Sequence, residues 1–381
     1  MAMAFLTFLV NKHPTPPAPI SVGQPLSNSS LELPFASHDG ITTMLDTLPL
    51  MDFSHQSPYA PEKVPQGFRE QGGLMAANGR SLRLMEVFRT VFYTPIYVSV
   101  AGGFLESQGL DVTFMARPPQ FANVTSALEQ GAVDISGSGI MNSIILADGG
   151  ADTVPAHIAK INARDGFFIL SRRTDAEFQW ETLKGATVIP VGFSPMPPAS
   201  FQFALRNHGV DPAGLNLISG LPLDEAVATF RSGQGDFIHL PEPAAEQLIA
   251  DGTASLAVAL GPANGHIAYS SFAATNNFLD RNPDLVDSFI KGYAPALTWL
   301  RDSEPETVGE MVGPFFPDVP SELIVRSVAR YKDQETWPSD PHIEEPEFEG
   351  LQDILVAAGM VKQRQVYTRV VRPELARAAL A

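Results

Sequence analysis

Hydrophobic and polar residues alternate in short runs from residue 81 onward, and these runs are separated by stretches with helical spacing. The first set predicts strands at residues 82–87, 110–114 and 132–135, with helices at residues 96–104 and 123–130. Strands and helices that alternate at this spacing are typical of βαβ units with a parallel sheet.

The same order of elements returns further along the chain. It predicts strands at residues 167–170, 186–189, 215–218 and 235–238, and helices at residues 199–208 and 223–232. Residues 128–135 (LEQGAVDI) and 230–238 (FRSGQGDFI) share a helix end, a glycine, an aspartate and an apolar strand. This weak internal symmetry predicts two similar α/β lobes, followed by helices at residues 283–301, 320–332 and 347–358.

The N-terminal segment differs in composition and lacks periodicity. Residues 1–80 are rich in Pro, Ser, Asn and Gly without a lasting period, which predicts a disordered tail, with Met75 as an alternative start. Residues 1–10 are apolar, but no basic residue precedes them and Lys12 ends the run. These features are unlike a secretory signal and favour a cytoplasmic location, whereas an exported protein would lie in the periplasm. The lobes are expected at 81–170 plus 259–381, with the C-terminal helices, and at 171–258.

Composition narrows the class of partner. The net charge is −17, from 42 acidic and 25 basic residues, which disfavours nucleic acid because phosphate binding depends on Lys and Arg. The absence of cysteine excludes disulfides, Cys-ligated metals and thiol nucleophiles. The eight histidines show no metal-ligand spacing, and no run is long enough to span a membrane. We therefore expect a small-molecule ligand and no metal or cofactor.

Two segments carry a family resemblance. They are residues 92–98 (FYTPIYV) and residues 102–112 (GGFLESQGLDV), supported by residues 131–135 and by Gly233-x-Gly235-x-Phe237. Over about residues 82–300 the chain resembles the SsuA- and NMT1-like family of ABC-transporter substrate-binding proteins for sulfonates, nitrate and thiamine-pyrimidine precursors, which also includes a thiamine pyrimidine synthase.

The resemblance implies a type II periplasmic-binding-protein fold, in which two Rossmann-like lobes close on a ligand. Open α/β sheets bind ligands at the carboxyl ends of their strands, close to helix N-termini. The candidate ligand-binding residues at these positions are Phe92, Tyr93, Thr94, Gly137, Ser138, Gly139, Asn162, Arg164, Phe193, Ser194, His239, Glu242 and His266.

Several candidates also have a purely structural interpretation. The Gly137–Ser138–Gly139 turn allows a ligand to approach the backbone, but such turns also occur for geometry alone. Arg164 suits an anionic ligand, or a surface ion pair with Asp165. Glu242 stands between two prolines after a strand, where the family resemblance implies a bond to an aminopyrimidine. The same glutamate also suits the first turn of a helix.

The chain departs from the pyrimidine synthase at its reactive positions. The lysine that binds pyridoxal phosphate and the donor histidine fall on Ser138 and Asn142, and the cysteine motif is absent. We therefore predict no catalytic residues and a binding protein of ABC-transporter type, or a cytoplasmic derivative, with an ABC permease as a further partner. The alternative is a cytoplasmic enzyme on the same fold, related to pyrimidine synthesis, decarboxylases or desulfinases, with Glu242 or His239 as acid or base.

Overall fold

The computed structural model describes residues 80–173 and 177–381, so the predicted N-terminal tail and the Met75 start lie outside the described residues. In chain order the first half contains β1 (Arg80–Glu86), a 3-10 turn (Val91–Tyr93), α1 (Thr94–Ala101), β2 (Leu110–Ala116), α2 (Val124–Glu129), β3 (Ile135–Gly139), α3 (Met141–Asp148), β4 (Ala156–Asn162) and β5 (Phe167–Ser171). The strand and helix types predicted from residues 82–130 are confirmed.

The second half repeats the alternation and then becomes helical. It contains β6 (Thr187–Ile189), α4 (Met196–Asn207), β7 (Asn216–Leu217), α5 (Leu223–Arg231), β8 (Phe237–Pro241), α6 (Ala244–Ala250), β9 (Ser255–Ala259), α7 (Leu260–Asn264) and β10 (Ser270–Ala274). The remaining helices are α8 (Asn276–Arg281), α9 (Pro283–Asp302), α10 (Pro305–Val312), α11 (Ser321–Asp333), α12 (Glu345–Ala357), α13 (Tyr367–Val370) and α14 (Pro373–Ala379).

Two sheets of five strands share one topology. Their strand orders are β2-β1-β3-β10-β4 and β7-β6-β8-β5-β9. In each sheet the fourth strand, β10 or β5, runs antiparallel to its neighbours, and it is the strand that follows a crossing from the other sheet. The chain therefore crosses between the sheets twice, at residues 163–166 and 260–269. The strand that we expected to end the first lobe, β5, belongs to the second sheet.

The predicted symmetry between the two halves extends to individual hydrogen bonds. Asp134 Oδ2 accepts the backbone N–H of Arg83 at 2.8 Å, and Asp236 Oδ2 accepts that of Thr187 at 2.8 Å. Each aspartate thus precedes a central strand and binds the neighbouring parallel strand.

The positions predicted for these two central strands were wrong by two or three residues. The strands begin at Ile135 and Phe237, so Gly137–Gly139 lies inside β3 and not in a turn. Pairing with β1 on one side and β10 on the other keeps this Gly-Ser segment extended. A Cβ on Gly137 would lie 2.5 Å from the end of the Ile96 side chain, so a larger residue here would require that side chain of α1 to move.

A continuous apolar core joins both sheets to the C-terminal helices. A smaller cluster around Met85 and Val133 lies beneath α2. Among the described residues, no helix is long and apolar enough to cross a membrane.

Candidate functional site

A cleft of about 780 Å³ lies where the carboxyl ends of strands from both sheets meet. Glu86, Ala116 and Gly139 end strands of the first sheet, and Pro241 ends β8 of the second. This is the position that the strand topology predicts for a ligand. Of the predicted site residues, the cleft is lined by Phe92, Tyr93, Gly139, Phe193, Ser194 and Glu242.

Aromatic rings form much of the cleft wall. The Phe92 and Tyr269 ring centroids are 5.5 Å apart, in an edge-on arrangement. Phe193 packs between Phe88 and Phe167, at centroid distances of 5.0 and 6.1 Å. Rings packed in this way make this part of the cleft wall apolar.

The turn that carries Phe92 is fixed by side chains from distant elements. Thr90 Oγ1 accepts the Phe92 N–H at 3.2 Å. Asn162 Nδ2 and Trp337 Nε1 both donate to the Phe92 carbonyl oxygen, at 2.8 and 2.9 Å. Asn162 therefore lies behind the cleft wall, where it orients the aromatic turn. Thr94 is also buried, and its hydroxyl donates to the Val91 carbonyl at 2.8 Å.

A buried ion pair closes one end of the cleft. Arg89 Nε donates to Glu86 Oε1 at 2.5 Å, and its Nη1 donates to the Phe315 carbonyl at 3.0 Å. The Tyr97 hydroxyl donates to Glu86 Oε2 at 2.6 Å. Burial raises the pKa of Glu86, while Arg89 and Tyr97 act in the opposite direction. Both charges are thus compensated within the protein.

The Glu242 carboxylate points into a contact between the second sheet and α11. Its Oε1 accepts Arg330 Nη1, and its Oε2 accepts the Glu246 N–H at 2.8 Å and the Ser327 hydroxyl at 3.3 Å. Burial raises the pKa of Glu242, opposed by Arg330. Glu242 therefore accepts a bond from the first turn of α6, which is the structural interpretation that the sequence left open. It also pairs with Arg330 of α11, a helix that the sequence did not connect with it.

The backbone of Glu242 is held as firmly as its side chain. Its N–H donates to the Tyr331 hydroxyl at 3.0 Å, and its carbonyl accepts the Thr90 hydroxyl at 3.1 Å. Tyr331 in turn donates to the carbonyl of Gly166, in the first crossing, at 2.9 Å. Glu242, directly after β8, is therefore tied to the turn that follows β1 and, through Tyr331, to the first crossing.

The structure places the other predicted residues outside the cleft. Gly137 and Ser138 lie within β3. His239 is buried on β8 between Phe167 and Phe201, at ring distances of 5.3 and 5.4 Å. Burial lowers the pKa of His239 to about 3, so the ring is neutral at physiological pH.

Arg164 and His266 meet at the surface. Arg164 Nη2 lies 2.6 Å from Glu335 Oε2 and 2.8 Å from His266 Nε2. The expected alternative partner, Asp165, instead accepts the Ser200 hydroxyl and the Phe167 N–H. Arg164 therefore forms a surface ion pair, but with a different acid.

Sequence reasoning missed several residues that line the cleft: Glu86, Phe88, Arg89, Asn142, Phe167 and Tyr269. Glu86, Phe88 and Arg89 follow the first strand directly, so the strand-end rule that selected Phe92 also applies to them. Tyr269 immediately precedes β10, a strand that the pattern of hydrophobic residues did not predict. Among the described residues, no three His, Asp or Glu side chains are placed to share a metal ion.

Comparison with known proteins places this geometry in context. Residues 77–312 match the NMT1-like family. The Bacillus subtilis (strain 168) protein YtlA, named as a binding protein, is 29% identical over 296 residues, which cover 77% of this chain and 88% of YtlA.

Solved structures share the fold at lower identity. The alkanesulfonate-binding protein SsuA from Xanthomonas axonopodis pv. citri, bound to MOPS, is 17% identical with a TM-score of 0.59, covering 78% of this chain and 99% of SsuA. The desulfurization enzyme DSZB is 13% identical with a TM-score of 0.59, covering 78% and 98%. The predicted periplasmic-binding-protein fold is confirmed.

Proposed function

We propose that this chain, which belongs to the NMT1-like family, is a solute-binding protein that holds one small ligand between its two lobes. The family prediction made from residues 92–98 and 102–112 is confirmed by the match over residues 77–312. The similarity to YtlA over most of both chains supports a binding role.

The observation that carries the proposal is the cleft with aromatic residues in its wall, between two sheets joined by short crossings. A volume of about 780 Å³ falls within the range of roughly 300–1,000 Å³ that small-molecule sites occupy. Lobes joined by a few crossing residues close around ligands by a hinge motion. Phe92, Tyr93 and Phe193 line this space and suit a planar, heteroaromatic molecule, a class that includes pyrimidines such as thiamine precursors.

The enzymatic alternative is less well supported by the cleft. DSZB shows that this fold also carries catalysis, so the fold alone does not decide. None of the described residues that line the cleft is a lysine or a histidine, and His239 lies behind the wall. Glu242 is bound to Arg330, Ser327 and Glu246, which removes it as an acid or base for a ligand. Binding without chemistry is therefore the simpler function.

The partner proposed for a transport role is an ABC permease, to which binding proteins of ABC import systems deliver their ligand. SsuA, whose name states that it binds alkanesulfonates, and YtlA support this proposal by similarity. Purified protein should then bind ligand without turning it over, and mass spectrometry of the recovered compound is the check. A chemically altered product would overturn the binding proposal in favour of an enzyme.

The proposal is tested by a thermal-shift screen of the full chain with pyrimidines, aromatic amides, aromatic acids, alkanesulfonates and nitrate, followed by calorimetry of each compound that raises the melting temperature. Phe193→Ala removes a ring from the cleft wall and should weaken binding roughly two- to tenfold, because an aromatic pair contributes about 0.5–1.5 kcal/mol. Phe178→Ala is the matched control, since this ring packs on Trp180 at 5.4 Å outside the cleft. Equal affinity in both variants would place the ligand elsewhere.

A further inference from the structure

We propose that the first lobe, which carries the β2-β1-β3-β10-β4 sheet, holds an acidic group of the ligand through Arg117, and that the second lobe closes on the ligand's apolar part. The inference rests on the proposed function, because it names the ligand class and a specificity-determining residue of the same cleft. Two independent observations carry it: a cation of the first lobe lines the cleft without an acid as partner, and the helix starts of the second lobe do not suit an anion.

Arg117 differs from Arg89, the other basic residue of the described cleft lining. Arg89 is 8% exposed and pairs with Glu86, so its charge is compensated within the protein. Arg117 follows β2 directly and is half-buried. Among the described residues it forms no ion pair, and its Nη1 donates to the Phe121 carbonyl. A guanidinium has five N–H donors in a planar fork, so Arg117 keeps donors for a carboxylate or sulfonate of the ligand.

The acidic residues of the described lining leave Arg117 uncompensated. Glu86 and Glu242 are already paired with other arginines. Glu129, at the end of α2, is exposed and is thus solvated by water. A half-buried cation is less well solvated, and its interactions are less screened by salt. An anionic group of the ligand therefore gains more beside Arg117 than a cationic group gains beside Glu129.

In the second lobe, the start of α4 lacks most of its N–H donors. The first four N–H groups of a helix have no partner within the helix, and they can hold an anion. In α4 two of these four positions are Pro197 and Pro198, which carry no N–H. The Ala199 N–H donates to the Pro195 carbonyl at 3.2 Å, which leaves that of Met196. This helix start therefore offers an anion one N–H group instead of four.

The other two helices that reach the cleft from the second lobe begin with acidic residues. The first turn of α5 contains Asp224 and Glu225, next to Leu223 in the cleft lining. At α6 the Glu242 carboxylate accepts the Glu246 N–H at 2.8 Å. Negative charge at a helix N-terminus compensates the positive end of the helix dipole, so neither helix start suits an anionic group.

The rest of the described second-lobe lining is apolar, apart from the Ser194 hydroxyl. It includes Phe193, Met196, Pro197, Leu223 and Pro243. Contact of these side chains with an apolar ligand surface removes that surface from water and favours closure. The expected ligand is thus an amphipathic acid, such as an aromatic carboxylate or sulfonate.

The ligand class is tested with aromatic compounds of similar shape and different charge, titrated into the full chain. The sets are benzoate, benzamide and benzamidine, and benzenesulfonate and benzenesulfonamide. The acid should bind about tenfold more tightly than the other members of its set, because hydrogen bonds between charged groups are the stronger ones. If the acids bind no more tightly than the neutral or cationic members, the solute-binding function stands and this inference is overturned. If no compound of this panel or of the broader screen binds, the proposed function itself is overturned.

The assignment of Arg117 is tested by Arg117→Met, with an acid and its amide both measured in the same variant. The acid should lose about tenfold in affinity and the amide little, since only the acid pairs with the guanidinium. Binding of the amide also shows that the cleft is intact. Arg326→Met, at an arginine outside the cleft lining, is the matched control and should leave both affinities unchanged. An unchanged preference for the acid in Arg117→Met would remove Arg117 from the ligand site.

The division between the lobes is tested with two second-lobe variants. Phe193→Ala should weaken the acid and the amide by the same factor, because this ring contacts the apolar part of both. Ser194→Ala should leave the preference for the acid unchanged. Loss of that preference in Ser194→Ala would place the acidic group on the second lobe and overturn the division.

Discussion

The two sides of the β8 carboxyl end use opposite chemistry. On one side, the Arg330 junction, formed by Glu242, Glu246, Arg326 and Arg330, joins α6 to α11 through charges that all have partners. On the other side lies the aromatic cleft, whose wall is mostly apolar.

The contrast indicates that contact between the lobes and ligand binding depend on different kinds of side chain. Breaking a buried ion pair leaves an uncompensated charge inside the protein, so such pairs suit a permanent contact. The cleft lining is mostly apolar, and its buried Glu86–Arg89 pair is compensated within the protein. Glu242 stands at the boundary, with its backbone at the cleft and its carboxylate in the junction.

The largest effect is expected from breaking the junction with Arg330→Met. Glu242 and Glu246 have side-chain exposures of 0% and 1%, and both would lose their bonds to Arg330. Removing one partner of a buried ion pair costs about 3–5 kcal/mol, since a buried charge is left behind. The loss is measured as the shift in free energy of unfolding in urea.

Arg326→Met provides the control for Arg330→Met. Arg326 bonds only to Glu246 among these acids, at 3.0 Å, and its side chain is 53% exposed. Its loss should therefore cost less than about 1 kcal/mol. Equal losses in the two variants would contradict the idea that burial makes Arg330 the central cation.

A pH experiment extends the comparison to Asp165, which lies in the first crossing between the two sheets. Burial raises the pKa of Asp165 to about 7, although the Ser200 hydroxyl and the Phe167 N–H oppose this. Because the folded protein keeps a proton that the unfolded chain releases near pH 4, this contribution to stability is greatest below pH 4 and is lost as the pH rises to about 7.

Asp165→Asn should remove that loss. The difference in unfolding free energy between this variant and the native chain should change by about 1.4 kcal/mol per pH unit between pH 4 and pH 7, in favour of the variant as the pH rises. The buried His157 and His239, with pKa values lowered by burial to about 3, affect both proteins alike and cancel in this difference. A difference independent of pH would show that Asp165 is ionised in the folded state.

The sequence predicted those features that depend on local pattern. Periodicity located α5 and α9 to within a residue at each end, and the repeated Gly-x-x-Asp predicted two equivalent halves. The short β10 was missed, since its residues, SSFAA, show no alternation and it pairs only with strands more than a hundred residues earlier.

The candidate site was predictable only in part, for a related reason. Strand ends and aromatic residues identified Phe92, Tyr93 and Phe193, because topology alone brings them to the cleft. The role of Glu242 depends on Arg330, 88 residues away, and no local pattern links them.

The smallest effect is expected from Arg164→Ala, at a residue that the sequence favoured equally as an anion clamp and as a surface ion pair. Arg164, whose side chain is 16% exposed, binds Glu335, whose side chain is 68% exposed, and lies outside the cleft lining. Exposed pairs contribute about 0–1 kcal/mol, so stability should change little and affinity for a cleft ligand should not change. Calorimetry with the compound used for Phe193→Ala gives the affinity directly. A tenfold loss in Arg164→Ala would show that this arginine, after all, reaches the ligand, and the separation between the junction and the cleft would no longer hold.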